Sequence, residues 1–351
     1  MKLTWKLLAT ALCSIALTNL HAAKGGSPVW TDAKAEDIPI DFKIQGEYAN
    51  TDFGAQVIAL GDGTFQAVLY PGGLPGAGWD EKNRSLLAGK LNGKNAEFSP
   101  ADGKRKYLAN PPGEFSASAK YPPEGHKPYS GTLKGDTLTI TREKGEPIKL
   151  KKTIRKSPTM GAQPPANAIV LFDGTGTDAF DGGRVDEMTK LLNTDGRDIK
   201  TKGKWSNYTM HIEFMLPFRP HARGQGRGNS GFYQVDHYEV QILDSFGLEG
   251  KNNECGGVYT KANPRINMCL PPLNWQTYDV EFRNAIAENG KKISNAVMTL
   301  GHNGVVVHDQ LEISGKTGGS RSDPEGTPGP IKLQGHGNPL QYRNVWIVPK
   351  D

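Results

Sequence analysis

The chain has 351 residues, of which 36% are hydrophobic and 23% are charged. This length favours two domains, and the composition supplies enough apolar material for packed cores, which excludes a largely disordered protein. The net charge of +5 is small for this length and is not clustered, so a nucleic-acid partner is not expected. The 43 glycines and 24 prolines predict many turns and short strands.

The first 23 residues have the pattern of a secretory signal peptide. Two lysines precede an uncharged apolar run over residues 7–17, and small residues follow at Ala22 and Ala23. The run is about half of the roughly 20 residues that a membrane-spanning helix needs. We therefore expect cleavage and export to a periplasmic or extracellular space, removal of Cys13 with the leader, and no membrane span in the product.

Residues 24–156 alternate short β-rich runs with clusters of glycine, proline and asparagine. Runs over residues 54–60 and 64–70 flank a Gly-Asp-Gly turn, which is typical of a β-hairpin, and residues 132–141 repeat the pattern. This segment predicts a small, mostly antiparallel β domain. It contains no cluster of side chains that indicates chemistry.

A change in sequence pattern separates the two predicted domains. Residues 157–167 contain three prolines and one glycine, which predicts an extended linker. From residue 168 to residue 351, at least seven segments alternate apolar and polar residues with period two, as residues 208–216 do. An all-β domain of this kind is expected to be a β-sandwich or jelly roll.

Residues 228–247 hold the most informative polar pattern. Glu239 and Gln241 share one face of a predicted strand, and Asp244 joins them if a bulge follows Ile242. Two carboxylates and an amide in this arrangement can bind sugar hydroxyls, hold a cation or transfer protons. A solvated polar stripe on an outer sheet is the alternative interpretation.

A second polar pattern lies near the end of the chain. Gln334 and His336 alternate on one face, and Gly335 and Gly337 leave room for a ligand beside the imidazole. Histidine titrates near neutral pH and can transfer a proton or bind a metal. Arg343 offers a planar donor fork to an oxyanion or a carboxylate.

Two cysteines remain after loss of the leader, Cys255 and Cys269, which lie 14 residues apart. In an oxidising compartment this spacing predicts a disulfide across a short loop. Two buried thiols are the alternative. A zinc site is disfavoured, because no further cysteine pair or paired histidines complete four ligands.

Residues 168–349 resemble the 3-keto-disaccharide hydrolase family. The resemblance rests on five motifs in order: I-V-L-F-D-G at residues 169–174, N-S-G-F at 229–232, Y-E-V-Q-I-L-D at 238–244, W-Q-T-Y-D at 275–279, and L-Q-G-H-G-N-P followed by Y-R-N-V-W-I at 333–347. It implies a concanavalin-like jelly roll. The family usually has an acidic residue at the position of Gly335, and the first domain lies outside the resemblance.

The resemblance implies cleavage of glycosides that already carry a ketone at C3. The ketone acidifies the hydrogen at C2, so a base forms an enediolate that expels the C1 substituent, and water then adds. Within that chemistry we assign the following residues: Glu239 and His336 as acid/base groups and candidate ligands of a divalent metal ion, Arg343 or that metal as the stabiliser of the enediolate, and Asn229, Gln241, Asp244 and Gln334 as contacts to the carbohydrate substrate.

Two other functions stay open at this point. Retaining glucanases on the same fold place two carboxylates about 5–5.5 Å apart on one strand, although Gln241 stands here where their central acid would be. A carbohydrate-binding module without catalysis is the other alternative, because lectins share the architecture. The sequence leaves the oligomeric state undetermined.

Overall fold

A computed structural model describes residues 27–350 of the chain. The predicted signal peptide, with Cys13, lies outside the described residues. Within residues 27–350, no helix has both the length and the apolar character that a bilayer crossing requires. The described chain is almost entirely β-structure, with one short helix, α1 (Ile40–Ile44), and two 3₁₀ turns, Pro112–Glu114 and Gly224–Gly226.

The first domain is a closed eight-stranded barrel. Its wall follows the order β1-β10-β9-β8-β5-β4-β3-β2, and β1 pairs with β2 to close it. The ten strands of this domain, of which β6 and β7 form a separate parallel pair, are β1 (Gly46–Ala49), β2 (Phe53–Gly61), β3 (Thr64–Pro71), β4 (Ser85–Asn92), β5 (Asn95–Pro100), β6 (Lys106–Tyr107), β7 (Phe115–Ser116), β8 (Ser130–Lys134), β9 (Thr137–Thr141) and β10 (Ile148–Thr153). The predicted hairpin turns at Asp62 and Gly63, whose φ angles of 52° and 66° are typical of a tight hairpin.

The second domain is a two-sheet sandwich, so the predicted all-β architecture is confirmed. The larger sheet has the order β13-β14-β25-β16-β19-β22-β23, with β11 also paired to β25, and the smaller sheet has the order β12-β15-β24-β17-β18. Its strands are β11 (Ile169–Phe172), β12 (Phe180–Asp181), β13 (Arg184–Val185), β14 (Leu192–Asn193), β15 (Ile199–Thr201), β16 (Asn207–Met215), β17 (Ser230–Gln234), β18 (Tyr238–Ile242), β19 (Trp275–Arg283), β20 (Ile286–Glu288), β21 (Lys291–Ser294), β22 (Ala296–His302), β23 (Val305–Ile313), β24 (Lys332–Leu333) and β25 (Gln341–Lys350).

Alternation along the strands separates the core from the polar faces. On β17 and β18, Phe232, Val240 and Ile242 are buried in the apolar core between the two sheets. Phe232 stacks there on Tyr278 of the larger sheet, with ring centroids 6.2 Å apart. The residues between these positions therefore point away from the core, onto the outer face of the smaller sheet.

The segment predicted as an extended linker is packed over its first half. Ser157 is buried and its Oγ lies 2.6 Å from Thr277 Oγ1, while Thr159 Oγ1 donates to Asp279 Oδ2 at 2.6 Å. The Gly161 N–H donates to Glu213 Oε1 at 2.6 Å. Residues 157–161 are thus hydrogen-bonded to the outer face of the larger sheet.

The structure holds Cys255 and Cys269 as free, buried thiols, so the predicted disulfide is wrong for this structure. The two sulfurs are close enough to influence each other electrostatically. Each sulfur also has other polar contacts: Cys255 Sγ lies 3.1 Å from the Tyr278 hydroxyl, and Cys269 Sγ donates to the Leu270 carbonyl at 3.5 Å. The spacing of 14 residues brought the cysteines together, but their sulfurs are held as hydrogen-bonding thiols.

Candidate functional site

A cavity of about 270 Å³ opens on the outer face of the smaller sheet. Side chains from β17 and β18, from the chain after β24 and from three loops surround it. The lining residues are Gln225, Asn229, Tyr233, Glu239, Gln241, Tyr259, Gly318, Gly319, Gln334 and His336. Five of the residues predicted from the sequence therefore lie together: Asn229, Glu239, Gln241, Gln334 and His336.

The register between β17 and β18 builds the floor of the cavity. Tyr233 stands opposite Glu239, and Gly231 stands opposite Gln241. Directly opposite side chains on one face of an antiparallel pair are close neighbours. The Tyr233 hydroxyl consequently donates to Glu239 Oε2 at 2.8 Å and lies 2.9 Å from the Gly318 carbonyl.

Glu239 is buried, and this burial dominates its protonation. Loss of solvent raises the pKa of Glu239 to about 7, although the hydrogen bond from Tyr233 and the charge of Lys332 act in the opposite direction. Burial also raises the pKa of Tyr233, as does the adjacent Glu239 carboxylate, so the phenol stays protonated. A carboxyl group with a pKa near neutrality can both accept and return a proton.

The glycine of the N-S-G-F motif leaves space for this carboxylate. A Cβ atom at Gly231 would lie 2.4 Å from Glu239 Oε1 and 2.7 Å from the Tyr233 ring. Any larger residue at Gly231 would displace the Glu239 side chain or the ring. The glycine of the motif is thus explained by the close packing of Glu239 and Tyr233 at the centre of the site.

A row of amides continues the floor on the other side of Glu239. Gln241 Nε2 donates to Asn229 Oδ1 at 2.8 Å, and Asn229 Nδ2 donates to Gln225 Oε1 at 3.0 Å. Amide side chains present donors and acceptors together, which suits sugar hydroxyls. Tyr259, half-buried on the neighbouring loop, adds an aromatic ring to the same wall.

His336 lies at the exposed rim of the cavity, next to Gln334. The neighbouring Gly335 cannot be replaced by an acidic residue in this backbone, because a Cβ atom there would lie 2.2 Å from the Arg197 backbone nitrogen. The carboxylate near this position comes from Asp198, whose Oδ1 accepts the Gly335 N–H at 3.0 Å. Gly335, where the family usually has an acidic residue, is therefore required here by the close packing of the Arg197 backbone.

Asp244 does not line the cavity, so the structure separates it from the other predicted substrate contacts. Its Oδ2 accepts a hydrogen bond from Arg227 Nε at 2.6 Å, and Asp244 is 2% exposed. β18 ends at Ile242, so strand alternation no longer determines the direction of the Asp244 side chain. Asp244 therefore belongs to a buried ion pair.

Arg343 also lies away from the cavity, so the structure does not bring it together with the other predicted site residues. It stands on β25 in the larger sheet, where Nε donates to Glu213 Oε2 at 2.6 Å. Its guanidinium carbon lies 4.0 Å from the centroid of the Trp275 ring. Its planar donor fork suggested an oxyanion contact, but here the fork binds Glu213 on the other sheet.

Sequence reasoning missed Tyr233, Tyr259 and Gln225. Tyr233 could have been found, because period two places it on the same face as Gly231 of the N-S-G-F motif. Tyr259 and Gln225 lie on loops, where no periodicity indicates the direction of a side chain. Their position depends on contacts between distant segments, such as the bond from Gln225 Nε2 to the Asn253 carbonyl at 2.8 Å.

The residues of the cavity do not fit the predicted divalent metal site. Of the side chains that line it, only Glu239 and His336 are carboxylate or imidazole ligands. Among residues 27–350, no group of three or more histidine, cysteine, aspartate or glutamate residues could hold a metal ion. The metal cofactor stays a prediction, and no chemical step below depends on it.

A family model described as a 3-keto-alpha-glucoside-1,2-lyase-like domain matches residues 167–348. The chain belongs to this family. Membership confirms the resemblance that the five motifs carried. The cavity described above lies entirely within the matched residues.

Three solved structures from Parabacteroides distasonis, each described as a proposed glycosyl hydrolase, are similar to part of this chain. The first is 30% identical, with 53% of this chain and 84% of that chain covered and a TM-score of 0.47. The second and third are both 18% identical; they cover 53% and 52% of this chain and 95% and 99% of theirs, with TM-scores of 0.39 and 0.37. No curated protein matches the chain.

Proposed function

We propose that this chain is an exported enzyme that cleaves 3-keto glycosides by deprotonation at C2, elimination and hydration. The observation that carries the proposal is the buried Glu239 carboxyl, whose pKa is raised to about 7 and which accepts a hydrogen bond from Tyr233 inside a cavity of sugar-binding size. Family membership supports the same chemistry.

Glu239 is proposed as the base. Its carboxylate takes the C2 proton, and the electron pair forms an enediolate across C2, C3 and the C3 oxygen. When the C3 ketone forms again, the bond between C1 and the aglycone oxygen breaks and a C1–C2 double bond remains. The aglycone oxygen takes a proton, for which His336 at the rim is the candidate donor.

Hydration completes the reaction and restores the enzyme. A water molecule adds its hydroxide to C1 and gives its other proton to His336, while Glu239 returns the first proton to C2. The sum is hydrolysis of the glycosidic bond. The donors that the cavity offers to the C3 oxygen are the neutral Tyr233 hydroxyl and the Gln334 amide, in place of Arg343.

The cavity gives less support to a retaining glucanase. Such an enzyme needs a second carboxylate about 5–5.5 Å from the first. Of the described residues that line the cavity, Glu239 alone carries a carboxylate, Gln241 stands beside it, and Asp244 is paired with Arg227. Deprotonation at C2 requires only one base.

The test compares a 3-keto glucoside with its unoxidised parent as substrates of the purified protein. We expect aglycone release from the keto compound alone, and a loss of about 100-fold or more in kcat for Glu239→Gln. Glu281→Gln is the matched control, because Glu281 is exposed on β19 of the larger sheet and does not line the cavity. Both reactions are repeated with a chelator to test the cation.

Several results would contradict the proposal. Release from the unoxidised glycoside would favour a glucanase, and sugar binding without release from either compound would favour a binding module. Full activity of Glu239→Gln would remove Glu239 from the role of base. Loss of activity on chelation would establish a cation that the lining residues do not indicate.

A further inference from the structure

Two loops that carry lining residues of the cavity are attached to the N-terminal barrel. The first, here called the arginine loop, is residues 219–229. Arg223 Nη2 donates to the Leu60 carbonyl at 2.7 Å, and Arg227 Nη1 donates to the Ala59 carbonyl at 3.0 Å. Both acceptors lie at the end of β2, so the barrel wall holds this loop through its backbone.

The second loop, here called the tyrosine loop, is residues 249–262. The Tyr107 hydroxyl donates to the Glu254 carboxylate, and the Lys251 ammonium lies 3.8 Å from the centroid of the Tyr107 ring. Glu249 Oε1 accepts a hydrogen bond from Ser118 Oγ at 2.5 Å. These contacts come from β6 and from the segment between β7 and β8, which the family match does not include.

The two loops meet at the cavity. Gln225 of the arginine loop donates through Nε2 to the Asn253 carbonyl of the tyrosine loop at 2.8 Å. Gln225 Oε1 then accepts from Asn229, and Asn229 accepts from Gln241, two residues from Glu239 on β18. A continuous row of hydrogen bonds thus runs from the loops that the barrel holds to the floor of the site.

We propose that the N-terminal barrel holds the substrate-binding wall of the cavity in place, with Arg223 and Tyr107 as positioning residues that act on the sugar through Gln225 and Asn229. The inference rests on the proposed function, because it takes the ligand to be a sugar. Tyr259 is placed by β18 itself, because its backbone N–H donates to the Glu239 carbonyl at 3.0 Å. The Gln225 side chain is instead placed by the contact between the two loops, and a small misplacement of a binding group weakens substrate binding strongly.

The experiment uses the full chain with Tyr107→Phe and Arg223→Met. We expect each variant to raise KM for the 3-keto glucoside about tenfold while kcat stays within about twofold, because Glu239 itself is not displaced. Amide hydrogen exchange in residues 219–229 and 249–262 should become faster. Arg265→Met is the matched control, since it removes another contact between the domains, with Glu81, outside both the cavity lining and the row of amides.

Two readouts separate failure of this inference from failure of the proposed function. Unchanged KM and unchanged exchange in both loops would overturn the inference, while Glu239→Gln still tests the reaction. If the wild-type chain releases no aglycone, the proposed function fails, and the exchange rates still decide whether the barrel holds the loops. Should either variant fail to fold, Ser118→Ala removes only the hydroxyl that bonds Glu249 and is held to the same expectations.

Discussion

The environment of Glu239 acts on its pKa in two opposite directions. Burial disfavours its charged form, whereas the Tyr233 hydroxyl and the Lys332 ammonium favour it. Lys332 lies with Nζ 3.7 Å from the centroid of the Tyr233 ring and 2.8 Å from Asp236, so its charge is shared between the site and the β17–β18 turn. The result is a carboxyl group that changes protonation near neutral pH, which is the property that a reversible proton transfer at C2 needs.

The raised pKa of Glu239 predicts a pH-dependent cost to stability. The folded state holds this proton up to a pKa of about 7, while the unfolded chain releases it near the ordinary value of 4.5. Stability is therefore lost as pH rises through that window. Glu239→Gln removes the loss, and we expect the variant to be more stable than wild type by about 1–3 kcal/mol at pH 8.5, with little difference at pH 4.

Urea unfolding of both proteins at the two pH values measures this difference. Glu281→Gln, on the exposed side of β19, should show no pH-dependent gain. An equal difference between Glu239→Gln and wild type at pH 4 and pH 8.5 would contradict the raised pKa. The test is independent of any substrate.

At the scale of the element, strand alternation predicted the site better than any single residue did. It identified the shared face of Glu239 and Gln241 because β18 is a regular strand over Tyr238–Ile242. It does not reach Asp244, which follows the strand end, and it gives no information on the sheet to which Arg343 belongs. Period two reports which side chains share a face, but the sheet to which a strand belongs depends on long-range pairing.

The packed segment at residues 157–161 shows that the sequence pattern of a connecting segment likewise does not reveal its long-range contacts. Proline and glycine indicate that a segment forms no regular element, but they do not distinguish a free linker from one that packs. Here the packing depends on partners that lie more than a hundred positions along the chain, such as Thr277 and Asp279. The polar face of β16, which an alternating pattern describes as solvated, is the surface that this segment covers.

His211 of β16 lies within this packed region and predicts a second pH dependence. Burial lowers the pKa of His211, but hydrogen bonds and charge from Asp279 and Glu213 outweigh it, so the pKa is raised above 6.5. The stabilising contribution of the charged imidazole is therefore complete below the ordinary pKa and is lost as pH rises through the folded-state pKa. We expect His211→Gln to destabilise the protein more at pH 5.5 than at pH 8.5, as measured by urea unfolding.

His308 provides the matched control for this prediction. It is also buried, but burial lowers its pKa, and its Nε2 lies 2.8 Å from the Gly256 carbonyl. A lowered histidine pKa gives stability that falls as pH decreases, so His308→Gln should cost more at pH 8.5 than at pH 5.5. The same pH trend in both variants would contradict the raised pKa of His211.

At the scale of the whole molecule, the barrel and the sandwich share a wall. Along β2, Val57 and Ala59 point into the barrel core, whereas Ile58 and Leu60 belong to the apolar cluster of the second domain. A strand that is buried on both faces has a nearly continuous apolar sequence, as residues 57–60 do. The sequence predicted the two domains as separate β units, because an apolar run does not reveal which neighbour covers its second face.

This shared wall predicts that the two domains unfold together. Separation would expose Ile58 and Leu60 on one side and Phe246 on the other, and it would break the bonds from Arg223 and Arg227 to the end of β2. Differential scanning calorimetry of the full chain should therefore show one transition with a calorimetric enthalpy close to the van't Hoff enthalpy.

Leu60→Asp would place a charge in the shared wall and should split that transition in two, whereas Thr132→Asp, on an exposed position of β8, should leave it single. Two separate transitions in the wild-type chain would show that the interface does not couple the domains.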